Sequence, residues 1–114
     1  MNLKDLKNPP AFDRPWPLFV LNGEYDEDKD LIHLKESLEA LKRTGFGGVY
    51  LHPRPGLITN YLSSRWFELI EALILHCIEL ELIPALYDEN SYPSGGAGGH
   101  VCSIQPETRA RSIV

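Results

Sequence analysis

Residues 47–53, "GGVYLHP", form a short apolar run closed by a proline, with a helical pattern on either side of it. A run this short between Gly and Pro predicts a strand. Upstream, Leu31, Leu34, Leu38 and Leu41 recur at helical spacing from Asp28 onward; acidic residues crowd the start, Lys42 and Arg43 stand near the end, and Gly45 marks the stop. This is an amphipathic helix whose charges suit the macrodipole. Downstream, "PRPGLITNYL" (53–62) reads as a loop, after which Ser63 or Ser64 caps a second helix. Trp66, Ile70, Leu73, Cys77 and Leu80 line one face of that helix, and Leu69 and Ile74 widen it. A helix this apolar expects cover on more than one side.

Two further apolar runs complete the pattern. "LFVLNG" (18–23) closes at Asn22-Gly23 and suits a strand buried on both faces, and "LIPALY" (82–87) makes a third strand with Asp88 and Glu89 directly after it. Before the first strand, "NPPAFDRPWP" (8–17) carries four prolines, cannot donate a regular ladder, and reads as an extended lead-in. Residues 1–16 are therefore assigned to a proline-rich entry arm, and residues 17–114 to the folded segment.

Strand, helix, strand, helix, strand, with starts roughly 30 to 35 residues apart, matches successive βαβ steps. The expected fold class is α/β, with three parallel strands and two intervening helices joined by right-handed crossovers. Parallel strands place their carboxyl ends on one edge. That edge receives Asn22 with Glu24, His52 with Arg54, and Asp88 with Glu89, at the place where α/β sheets and barrels bind ligands.

Composition narrows the function. The chain has 114 residues, 43% hydrophobic and 24% charged, the balance of one globular domain. A net charge of -5 with 11 scattered basic residues argues against nucleic acid and anionic membranes as partners. No apolar run approaches the roughly 20 residues of a membrane span. The start, "MNLKDLKNPP", lacks a secretory h-region, so the expected location is cytoplasmic, unless the chain is part of a processed precursor. Cys77, in the second helix, and Cys102, in a loop, form neither a C-x-x-C pair nor a zinc spacing and read as free thiols.

Beyond the third strand, "LYDENSYPSGGAGGH" (86–100) combines two acids, an aromatic-proline pair and a run of glycines. It matches neither the phosphate-loop nor the dinucleotide spacing, and no Lys is nearby. Glycine supplies positive φ and close backbone approach, so a tight loop folded over a ligand is the expectation. If Asp88 and Glu89 continue the strand, their side chains point to opposite faces, so one reaches a site and the other serves structure. His52, Asp88 and His100 carry metal-ligating groups, but their spacing demands no metal, and no metal site is assigned. His33 and His76 fall within helices. Trp66 and Phe67 read as core, whereas Trp16, Tyr87 and Tyr92 are placed near the rim, where an aromatic ring stacks on a sugar face.

"GFGGVYLHPRPGL", "YLSSRW" and above all "YDENSYPSGGAGGHV", together with "LNG" after the first strand, resemble the amino-terminal part of the catalytic barrel in bacterial glycoside hydrolases of the α-L-rhamnosidase type, family 106. The resemblance spans roughly residues 9–111. It implies a (β/α)8 barrel that cleaves terminal α-L-rhamnosyl or related glycosidic bonds with inversion, assisted by calcium in the full-length enzyme. It also implies substrate contacts at Asn22, His52, Arg54, Tyr87, Asp88, Glu89 and Tyr92, with the catalytic acid and base on later strands. No cofactor is assigned to this segment.

A complete barrel takes on the order of 250 residues, and "PETRARSIV" (106–114) reads as the opening of a next helix. The expectation is thus a partial (β/α)8 barrel, incomplete at its carboxyl end and inactive alone, with an open sheet edge available for self-association. The rival expectation is a complete small α/β module that self-associates, or binds a carbohydrate or protein partner, without catalysis.

Overall fold

The leucine periodicity upstream of the central strand becomes helix α2 (Asp28–Arg43), and the apolar face downstream becomes α3 (Ser64–Glu79), in a computed structural model that describes residues 3–112. Both begin and end on local chemistry. The Glu27 N–H donates to Asp30 Oδ2 at 3.2 Å at the start of α2. At its end, the Thr44 hydroxyl donates to the Ala40 carbonyl at 2.9 Å, and Gly45 follows at φ +93°. In α3, Ser63 is the cap, its Oγ accepting the Trp66 N–H at 3.2 Å.

Strands β1 (Leu18–Leu21), β2 (Gly48–Pro53) and β3 (Ile83–Leu86) form one parallel sheet in the order β1-β2-β3. Leu18 pairs with Tyr50, Val20 with His52, Gly48 with Ile83 and Leu51 with Leu86. The sheet carries its long helices on one face only. Leu21, Val49 and Leu51 are buried there against Leu38 of α2 and Leu69, Leu73 and Cys77 of α3. The helices also meet each other: His76 Nε2 lies 3.6 Å from Glu39 Oε1, and Arg65 reaches Asp28 at 4.0 Å. The Arg65–Asp28 pair, with Asp28 fully exposed, contributes little; the apolar layer beneath holds the unit together, each fully buried leucine contributing about 2 kcal/mol.

Among the described residues, neither long helix covers the opposite sheet face. Leu18, Val20 and Tyr50 are exposed on it, so β1 is an edge strand covered on one side, not the doubly buried strand its apolar run predicts. Continuous apolarity cannot tell which faces will be covered; that depends on what packs above. Trp16 also departs from expectation. It packs at the amino end of this face, 5.8 Å from the Tyr50 ring and against Gly48, at the end of the sheet away from the rim.

The entry arm is less extended than its prolines suggest. It holds a short helix, α1 (Leu3–Lys7), and a single 3-10 turn (Ala11–Asp13), and it docks on the sheet through Gly47 N–H to the Pro15 carbonyl at 3.2 Å. At the other end, α4 (His100–Ile104) places Cys102 in a helix where a loop is expected. The tail read as a helix start forms one 3-10 turn (Pro106–Thr108), and regular structure does not continue through residue 112; the last two residues of that stretch lie outside the described residues. Cys77 and Cys102 are free thiols. Among the described residues, no helix is long and apolar enough to cross a membrane.

Candidate functional site

The parallel register brings the ends of β1, β2 and β3 to one edge, and the connecting loops are pinned across it. The β1–α2 loop is tied to the β2–α3 loop at several points. The Arg54 N–H donates to the Leu21 carbonyl and the Ile58 N–H to that of Gly23, both at 3.0 Å. Thr59, buried, accepts the Tyr25 N–H at 2.7 Å and donates to Asp26 Oδ1 at 3.1 Å. Arg65 Nε donates to the Tyr25 carbonyl at 2.9 Å. Gly56, at φ +104°, passes so close to Asn22 that a Cβ there would lie 3.0 Å from the Asn22 carbonyl oxygen.

On this frame the expected residues divide. Asn22 is exposed at the end of β1, its N–H held by the Tyr25 hydroxyl at 3.1 Å. His52 is fully buried on β2, with the Tyr87 ring 3.9 Å away. Arg54 lies with its guanidinium carbon 5.7 Å from the centre of the exposed Tyr92 ring, a cation–π contact that holds both at the rim. Asp88 is exposed, whereas Glu89 is 3% exposed.

Glu89 explains the glycine run. Its carboxylate accepts the backbone N–H groups of Asn90 at 2.8 Å, Gly95 at 3.2 Å and Gly98. Gly95 and Gly98 take φ of +124° and +59°, conformations that L side chains rarely adopt and that let the loop turn its N–H groups inward. The loop therefore wraps an anion, but that anion is the chain's own carboxylate, where the sequence suggests a loop folded over a ligand. Of the two adjacent acids, Glu89 is the structural one and Asp88 faces solvent.

Tyr61, which the sequence reading passed over as part of a loop, belongs to the same corner. Its ring lies 5.4 Å from Trp66 and 6.3 Å from His100. Burial pushes its phenol above the ordinary range, and the charges of Glu89 and then Asp88 add to the shift. The signal that could have found it is position: the β2–α3 loop opens at the same edge as His52 and Arg54. Trp66 is core as expected, but Phe67 is exposed. Together Tyr61, Trp66, Phe67, Leu86, Tyr87 and Asp88 help line a cavity of about 180 Å³ beneath the rim, in which Asp88 is the sole charged lining residue.

Around Tyr87 and Tyr92 the arrangement offers aromatic surface with the Asp88 carboxylate and the Arg54 guanidinium beside it, a set that suits a neutral, hydroxylated ligand. It does not hold a pair of free carboxylates flanking a bond, as glycoside hydrolysis requires. Among the described residues, no group of three or more His, Cys, Asp or Glu side chains is arranged to hold a metal ion. His52, Asp88 and His100 are not such a group. No protein-family model matches the chain, and no curated protein is similar to it.

Proposed function

We propose that this chain forms three strands of a (β/α)8 glycoside hydrolase barrel of the α-L-rhamnosidase type. Its carboxyl edge contributes part of the mouth that holds a terminal α-L-rhamnosyl or related sugar. The observation that carries this reading is the sequential order β1-β2-β3 with both long helices on one face. A barrel winds this way, its inner face lined by strands alone, whereas a doubly wound sheet covers both faces with helices. The bare face with Leu18, Val20 and Tyr50 is then barrel interior.

Within that mouth, Tyr87 and Tyr92 supply stacking surface, Asp88 accepts from hydroxyl groups and Arg54 donates. Acid and base roles fall to carboxylates on other strands, because Glu89 is engaged by its own loop. The isolated chain is accordingly expected to bind weakly and not to turn over. Titrating the 15N-labelled 114-residue chain with an aryl α-L-rhamnoside should perturb amides of Arg54, Tyr87, Asp88 and Tyr92 and spare Trp16 and Tyr50 at the far end. Measurable hydrolysis by the purified chain would refute its inactivity, and an unperturbed rim would remove the sugar reading.

A second reading, a small α/β module that self-associates, is favoured by one observation. The flank of α3 turned away from α2 exposes Phe67, Leu75 and Ile78 beside Leu86 of β3. A defined dimer that melts cooperatively supports the module; heterogeneous association supports the barrel segment.

A further inference from the structure

His52 Nε2 lies 3.1 Å from the carbonyl oxygen of Ser91. A backbone carbonyl only accepts hydrogen bonds, so the proton of this contact sits on Nε2. In the neutral ring Nδ1 is then a bare lone pair, and Nδ1 is buried with no hydrogen-bond partner among the described residues. A buried acceptor left unpaired is destabilising, so Nδ1 calls for a donor, which a bound water or a ligand hydroxyl supplies.

Ser91 is held where it is by the loop around Glu89. The Asn90 N–H immediately before it and the Gly95 N–H beyond it both bond the Glu89 carboxylate, with Gly98 closing the ring. We propose that Glu89 is a positioning residue: through the backbone of residues 90–98 it fixes His52 as the Nε2–H tautomer, leaving Nδ1 as the acceptor for a hydroxyl of a neutral polyhydroxylated ligand. An ionised carboxylate is disfavoured at that atom, since it would bring lone pairs against a lone pair. The ligand class rests on the sugar-binding reading of the rim; the tautomer does not.

The test is long-range 15N–1H correlation of the full chain labelled at histidine, at about pH 8. The wild type is expected to show a single His52 species protonated at Nε2, with slowed exchange at the Gly95 and Gly98 amides. Glu89→Gln, which sets an amide against the loop N–H groups, is expected to populate both tautomers and to speed those exchanges roughly tenfold. An Nδ1–H species in the wild type, or prompt exchange at Gly95 and Gly98, overturns the proposal even if the variant fails to fold. So does a folded Glu89→Gln chain with an unchanged His52. Adding methyl α-L-rhamnoside should then move the Nδ1 resonance. Rim amides that shift while Nδ1 stays still overturn the acceptor role and leave the sugar reading intact; a silent rim, with the tautomer as expected, overturns the ligand class instead.

Discussion

Gly48 lies against the indole of Trp16: a methyl group on Gly48 would sit 2.9 Å from two indole carbons and 2.5 Å from the carbonyl oxygen of Ile83. The entry arm reaches the sheet because Gly47 and Gly48, where β2 begins, have no side chain. Gly48→Ala is therefore expected to lower unfolding free energy by about 1–3 kcal/mol in urea titration, the range for an overfilled core. Gly45→Ala is the comparison, since nothing lies within 4 Å of a Cβ there and only its φ of +93° opposes the change. A smaller loss at Gly48 than at Gly45 would mean that the arm does not dock as described.

The same contact marks the limit of what could be read from the chain. The succession of strands and helices, the Gly45 stop and a serine cap at 63 or 64 were legible, because they rest on local periodicity and on single residues; the Glu27 cap of α2 was not. The parallel edge with Asn22, His52 and Asp88 followed from them. Trp16 was misplaced because its position depends on a 3-10 turn that carries the arm back across β2. Exposure of Leu18 and Val20 was not legible either, since a strand's pattern does not say how many of its faces find a partner. Glu89 was read with its neighbour as a rim acid; its engagement by Gly95 and Gly98 depends on a loop closure between residues several positions apart, which no short-range pattern encodes.

Thr59 fastens the loops beneath the rim, and its hydroxyl is expected to be worth more than its methyl. Thr59→Val keeps the shape and deletes both the bond from the Tyr25 N–H and the one to Asp26. Leaving the Tyr25 amide without its partner should cost about 1–3 kcal/mol and speed its hydrogen exchange. Thr59→Ser keeps the hydroxyl and should keep that protection; equal exchange in the two variants would show that the staple does not form.

Cys77 is fully buried, and burial pushes its thiol from 9.0 up to about 11. Below pH 9 the thiol is neutral in both folded and unfolded chains and the stability is fully present. As pH rises from 9 to about 11, the unfolded chain releases the proton and the folded chain does not, so stability falls, by on the order of 2–3 kcal/mol across the window. Tyr61, also raised by burial, adds a loss of the same sign above its ordinary 10.0. Urea titrations at about pH 8 and pH 10.5 should show the decline. Cys77→Ala should start lower and decline less; an equal decline would place the ionisation elsewhere.

The outer flank of α3 should govern how the isolated chain associates. Leu75 and Ile78 are 54% and 59% exposed, so Leu75→Lys with Ile78→Lys removes apolar surface without opening the core. A lysine at 75 also falls four residues after Glu71, the favourable orientation for a helical ion pair. Sedimentation velocity is expected to show association in the wild type and a shift toward monomer in the double variant, with the folded signal unchanged. Undiminished association would point to the bare face of Leu18, Val20 and Tyr50 instead.

Asp88 and Asp26 are both exposed carboxylates near the same edge, and they separate a ligand contact from a loop contact. Asp26 accepts from Thr59 through Oδ1, an acceptor that Asp26→Asn retains, so that change should be nearly silent. Asp88 is the sole charged residue lining the cavity under the rim, and in the sugar-binding reading its charge accepts from ligand hydroxyls. A hydrogen bond to a charged group is worth about 1.5–3 kcal/mol, so on the proposed barrel reading Asp88→Asn should lower kcat/KM of the full barrel for an aryl α-L-rhamnoside roughly tenfold or more. In the isolated chain it should weaken binding of the same compound by a similar factor. Equal behaviour of the two variants would remove Asp88 from the site.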